Sequence, residues 1–139
     1  MAAPARELRF AVDLAPSGEL REENGVRLDV APEWTPEHLL LAALVRCSLA
    51  SLRYHAERAG LDVREASGSS RALITRREPD GRYAVVEGDV ELALEIEPEP
   101  GTDELAELLA KAERDCFVGA SLTAKPRYRW TVNGRTIAT

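Results

Sequence analysis

The stretch Pro36 to Ala59, "PEHLLLAALVRCSLASLRYHAERA", constrains the fold more than any other. Thr35 is a plausible N-cap, Pro36 suits the first helical position, and Glu37 favours the positive end of a helix. Gly60 supplies the stop. The spacing predicts a helix of about 24 residues and about 36 Å. Its first half, from Leu39 to Val45, is apolar on every face. Such a helix is buried on one side by its own domain and on the other by a partner surface.

The segments around this helix read as strands. "ELRFAVDLA" alternates roughly, "PSGE" turns, and a second strand is expected through "VRLDV". After Gly60, "LDVREASGSSRALITRRE" and "RYAVVEGDVELALEIEP" flank "PDG" and form a long hairpin. "EPEPG" then breaks the chain. "TDELAELLAKAERDCF" puts Leu105, Leu108, Leu109, Ala112 and Cys116 on one helical face, with Thr102 as the expected N-cap. "TAKPRYRWTVNGRTIAT" closes as a strand with an "NG" turn signal. The expected order is ββαββαβ, an α+β fold in one domain over residues 1–139.

Composition limits the partners. A net charge of −6 argues against non-specific binding to nucleic acid or an anionic membrane. No run reaches the length of a fully apolar span, and "MAAPARELRF" has no signal-peptide core, so a cytoplasmic location is expected. In that compartment Cys47 and Cys116 should be reduced, and a bond between them would be catalytic or redox-sensing. On composition alone each cysteine is a candidate inert core thiol. Mid-helix, Cys47 gains no acidity from a helix end; activation needs a nearby cation, and Arg46 points about 100° away. His38 and His55 lack ligand spacing toward the cysteines, so no metal is expected, and no phosphate loop or nucleophile elbow is present. Trp34, Tyr54 and Phe117 are candidate pocket walls.

Two segments carry a resemblance. "TPEHLLLAALVRCSLASL" resembles the first-cysteine helix of the OsmC/Ohr family of thiol peroxidases, and "LLAKAERDCFVGASL" its second-cysteine segment. The resemblance implies an OsmC-like fold: two main helices, curved antiparallel-rich sheets, and an intertwined homodimer with sites at the interface. It implies a redox pair, Cys47 peroxidatic and Cys116 resolving, with no cofactor. Pro36-Glu37 stands ten residues before Cys47, as in the family, and Arg27 ten before Glu37, as in the OsmC branch. By that resemblance Arg27 activates the thiol and Glu37 orients Arg27. The loop "APSGE" lacks the arginine of the Ohr branch. Arg46 replaces a usually small residue, Phe117 a usual proline, and "PEWT" a glycine-rich approach.

The implied activity is reduction of organic hydroperoxides or hydrogen peroxide, with an external dithiol as reductant. The alternative is a redox-sensing or small-molecule-binding protein on the same scaffold. Glu37 and Cys47 are about 15 Å apart along one helix, so a shared site is expected to draw them from two chains.

Overall fold

The computed structural model describes residues 4–139. The chain divides into two compact units, Met1–Pro36 and Glu37–Thr139.

The N-terminal unit is a three-stranded antiparallel sheet, β1 (Val12–Leu14), β2 (Leu20–Glu22) and β3 (Arg27–Leu28). The sequence pattern predicts two strands here. The second is split because Glu22 builds a turn of its own. Its carboxylate accepts the amides of Asn24 and Val26, both at 2.8 Å, and Gly25 takes a φ of 86°. An Asn-Gly pair provides the left-handed backbone that such a reversal needs. Leu14, Leu20 and Leu28 are paired across the sheet and so share one face; Val12, two residues from Leu14, joins them.

The C-terminal unit carries the core. It begins with α1 (Pro36–Arg58), closely as the capping signals predict. The helix ends in a glycine motif: Leu61 N–H donates to Ala56 O and Gly60 N–H to Glu57 O, with Gly60 at φ 75°. The hairpin β4 (Asp62–Arg76) and β5 (Tyr83–Glu97) follows, turning at Pro79-Asp80-Gly81. The Arg77 guanidinium grips Asp80 at 2.7 Å and holds its carboxyl down at about 2. After α2 (Thr102–Arg114) comes a five-residue helix, α3 (Phe117–Ser121), then β6 (Arg127–Val132) and β7 (Arg135–Ala138).

The sheet order is β4-β5-β6-β7, with β5 and β6 parallel. The closing segment is thus two strands, reversed at Asn133-Gly134, both with positive φ. Gly101, not Thr102, occupies the N-cap of α2; Thr102 is the first helical residue. The α+β class stands, with the expected strands subdivided and a short third helix added.

Alternate residues of β5, Val90, Leu92, Leu94 and Ile96, point into the core. Leu44, Leu52 and Ala56 of α1 meet them there, together with Leu105, Leu108, Leu109 and Ala112 of α2 and Trp130 of β6. The helix α1 lies close on the hairpin because residue 68 is glycine. A Cβ there would stand 2.6 Å from Leu92, 2.7 Å from the Glu91 carbonyl and 3.2 Å from Val45. Ser70 Oγ–H donates to the Leu41 carbonyl at 2.7 Å beside it. By length and composition α1 would also suit a membrane span, but Leu44, Ser48, Leu52 and Ala56 commit one of its faces to the core.

Candidate functional site

The 100° step of α1 turns adjacent residues to different surroundings. Ser48 faces fully inward, while Cys47 is partly buried and looks out between core and solvent. Cys47 lines a depression of about 660 Å³ with Arg46, Leu49, Ala50, Arg53, Tyr54 and Glu57. Every one of these residues belongs to α1, so the chain provides one wall of this depression. Tyr54, expected as a pocket wall, is one of them. Its ring meets the Arg58 guanidinium, 5.4 Å from the centroid, which orders the outer rim.

Cys116 sits behind this surface. The helical periodicity assigned it to the end of the second helix, on the apolar face. The structure corrects this: α2 stops at Arg114, Asp115 caps it, and Cys116 takes an extended conformation as the N-cap of α3. Asp115 accounts for the change. Arg114 holds its carboxylate at 2.9 Å and His55 Nε2 lies 2.7 Å away, which together pin the chain to α1 just where it leaves α2. Cys116 is then carried into the interior, at 0% exposure.

The two thiols face one another, each influencing the proton affinity of the other. Both are free thiols. Their environments differ. Burial pushes the Cys47 thiol up; the amides of Val118 and Phe117 oppose this, Cys116 reinforces it, and the net direction is upward. Burial also works to raise Cys116, but the Ser48 hydroxyl, the Gly119 amide, the Cys47 thiol and the Tyr128 hydroxyl outweigh it. Cys116 therefore lies below the ordinary thiol value and is the more acidic of the pair. Ser48 Oγ is 3.5 Å from Cys116 Sγ and 3.0 Å from Tyr128 Oη, and Gly119 N–H donates to the same sulfur at 3.5 Å.

The remaining expected site residues fall in three places. Phe117 follows Cys116 with its side chain exposed, and its contribution to Cys47 is a backbone amide. Glu37 lies in the first turn of α1. Arg27 and Trp34 belong to the N-terminal unit. Arg27 is half-exposed there, and its guanidinium lies 3.3 Å from both Glu19 and Asp29. Trp34 is half-exposed, its amide closing a turn onto the Ala31 carbonyl. Sequence reasoning missed Ser48, Gly119 and Tyr128. Only the fold brings these three to one sulfur, and no spacing in the sequence announces them. Among the described residues, no group of three or more His, Cys, Asp or Glu is placed to hold a metal.

Comparison with known proteins returns no match among curated sequences. The solved structures do contain similar folds. An OsmC-like protein of unknown function from Vibrio cholerae superposes with a TM-score of 0.68 at 13% identity, over 92% of this chain and 99% of that one. An organic hydroperoxide resistance protein from Elizabethkingia anophelis gives 0.59 at 19% identity, covering 94% and 99%. The corresponding protein of Bacillus subtilis gives 0.52 at 17%, covering 90% and 96%. A family description, OsmC-like protein, matches residues 29–131, a span that holds α1, both cysteines and the strands between them. With both thiols meeting inside that span, the chain belongs to the OsmC-like protein family.

Proposed function

We propose that this protein is a two-cysteine thiol peroxidase that reduces organic hydroperoxides or hydrogen peroxide. The observation that carries the proposal is the pairing of thiols from distant parts of the chain, one open to a surface depression and one buried behind it. In the first step the Cys47 thiolate attacks a peroxide oxygen. The O–O bond breaks, an alcohol or water leaves, and Cys47 becomes a sulfenic acid. Cys116 then attacks that sulfur and closes a disulfide, expelling water. An external dithiol restores both thiols by exchange, as the reducing cytoplasm would allow. The hydroperoxide resistance proteins among the structural relatives support this reaction class.

The single chain provides an incomplete site, and a second copy completes it. The wall opposite α1, with Arg27 and Glu37, is assigned to the partner of a homodimer. Two observations support this: the Cys47 depression is lined by α1 alone, and the apolar face of the N-terminal sheet is exposed. Arginine suits the activating role because it stays charged and offers a rigid donor fork.

Limiting cumene hydroperoxide and hydrogen peroxide, followed by mass spectrometry, test the reading. Oxidation should begin at Cys47 and end in a species two hydrogens lighter, with a linked Cys47–Cys116 peptide pair. Cys116→Ser should accumulate the sulfenic acid and overoxidise. Equal, slow oxidation of both thiols only after unfolding would overturn it. A second reading, a redox-sensing or ligand-binding protein with little turnover, is favoured by one observation: burial raises the Cys47 thiol in the isolated chain. Slow, stoichiometric oxidation without repeated turnover in the presence of dithiol would select it.

A further inference from the structure

Ser48 is the buried polar side chain of the core among the described residues, at 0% exposure. A hydroxyl in such a place needs partners, since burying it unpaired forfeits the hydrogen bonds that water would give it. Its oxygen has three: the Leu44 carbonyl at 2.9 Å, Tyr128 Oη at 3.0 Å and Cys116 Sγ at 3.5 Å. A hydroxyl donates once and accepts twice. While Cys116 is protonated, Ser48 donates to Leu44 O and accepts from both the thiol and the phenol. When Cys116 loses its proton, the Ser48 hydrogen turns from the carbonyl to the sulfur, and Tyr128 continues to donate. One hydroxyl rotation therefore fits the network to either state of Cys116 with no heavy atom displaced. Burial pushes the Tyr128 phenol well above its ordinary value, so it remains a donor. A Cβ on Gly119 would stand 3.4 Å from Tyr128 Oη and 3.6 Å from Cys116 Sγ, so the groups are closely gathered.

We propose that Ser48 and Tyr128 are positioning residues for the second thiol: a buried hydroxyl pair that holds the Cys116 sulfur toward Cys47 and stabilises its thiolate as it closes the disulfide. The proposal rests on the peroxidase reading for its physiological step. In that step the S–O bond of the Cys47 sulfenic acid breaks and the Cys47–Cys116 bond forms. The proton lost by Cys116 ends on the departing oxygen, giving water. The benefit is speed, because the thiolate is the attacking form. A prompt second step also shortens the life of a sulfenic acid that further peroxide would carry to the irreversible acids. The titratable groups facing Cys116 are Cys47 from α1 and Tyr128 from β6; Glu113 of α2 acts on Tyr128, and Asp115 is turned to Arg114 and His55.

Ellman's reagent reads this step without peroxide. It first converts the more accessible Cys47 to a mixed disulfide, releasing one thionitrobenzoate. Cys116 then attacks the Cys47 sulfur, forming the protein disulfide and expelling a second thionitrobenzoate. The rate of that second release is measured against pH for wild type, Ser48→Ala, Tyr128→Phe and Ser51→Ala. Ser51 is the control: its hydroxyl, on the same helix, donates to the Ala112 carbonyl at 2.8 Å. Ser48→Ala should move the midpoint of the profile upward by about one unit and slow release at neutral pH about tenfold. Tyr128→Phe should act in the same direction by less, and it keeps the test open should Ser48→Ala fold poorly. Ser51→Ala should follow wild type. Profiles of both site variants superimposed on wild type would overturn the proposal. So would slowing by one factor at every pH with the midpoint unmoved, since that is the signature of a packing defect. A parallel peroxide experiment separates the two ideas. If peroxide leaves wild-type Cys47 unoxidised, the peroxidase reading falls, while the thionitrobenzoate profiles still decide the role of the hydroxyl pair.

Discussion

The two sheets of this chain use similar apolar residues to different ends. Val90, Leu92 and Leu94 on β5 are 1–3% exposed, whereas Val12, Leu14 and Leu28 in the N-terminal sheet are 67%, 71% and 54% exposed. Both have the alternation of a half-buried sheet. The difference lies in what covers them: β5 lies under two helices of its own unit, while the apolar face of the N-terminal sheet stays open. A unit of some three dozen residues rarely holds a core without a metal, a disulfide or an oligomer. A strand pattern therefore shows that a face wants cover, and does not say which chain provides it. The homodimer proposed above would cover this face and complete the depression beside Cys47.

The sharpest way to test the contrast is to damage the covered side. Trp130 is fully buried, stacks on Tyr128 with ring centroids 5.7 Å apart, and donates from Nε1 to Glu113. Trp130→Ala should lower stability by about 3–5 kcal/mol, read from the urea midpoint at constant slope. A loss below 1 kcal/mol would mean that the C-terminal core is looser than its burial indicates.

The open side makes the opposite prediction. The triple change Val12→Ser, Leu14→Ser, Leu28→Ser should leave the core of the C-terminal unit folded and weaken self-association. With about 1 kcal/mol for each half-exposed side chain that becomes covered, and three such side chains on each of two protomers, the dimer dissociation constant should rise roughly 10,000-fold. Sedimentation of wild type and variant measures it. A wild-type chain that is monomeric at micromolar concentration would remove the dimer and the shared site together.

The same contrast explains what the sequence made legible. The long helix was readable because Thr35, Pro36 and Gly60 mark its ends and Leu39 to Val45 fill it. The hairpin was readable from Pro79-Asp80-Gly81. These are local signals, and local rules decode them. The break between β2 and β3 depends on the Glu22 carboxylate folding back onto amides two and four residues ahead, which no periodicity records. Cys116 matched the apolar spacing of α2 yet lies beyond it, because a tertiary contact, Asp115 with His55, redirects the chain first. Both cysteines were found through the family resemblance. Ser48 and Tyr128 were not, because a serine inside a helix and a tyrosine inside a strand carry no mark of a shared thiol partner.

A smaller effect tests how α1 seats on the hairpin. Gly68→Ala places a methyl group against the Glu91 carbonyl, which cannot swing away as a side-chain tip would. Either β5 or α1 must shift. Overpacking of this kind should cost about 1–3 kcal/mol. Since Val45 of α1 is the next atom met, the shift should also alter the reactivity of Cys47, two residues along the helix. Urea unfolding with thiol labelling of the native variant would show both. Unchanged stability would mean that the close approach is slack.

The smallest expected effect concerns the join that delivers Cys116. The Arg114 guanidinium, with help from His55, holds the Asp115 carboxyl down at about 2, against an ordinary value near 3.8. The folded state therefore favours the ionised form. Its contribution is complete above the unfolded value, near pH 4, and is lost as pH falls through about 2. Asp115 is 40% exposed, so solvent screens these pairs, and Asp115→Asn should cost less than about 1 kcal/mol at pH 7. The gap between variant and wild-type urea midpoints should shrink as pH falls from 4 to 2. A gap undiminished at pH 2 would show that asparagine disturbs the end of α2 by shape and not by charge. The N-terminal sheet belongs to a separate compact unit, and its stability should be indifferent to this substitution. Hydrogen exchange that quickened at Leu14 and Leu20 as much as at Cys116 would break the distinction between a region ordered from within and one awaiting its cover.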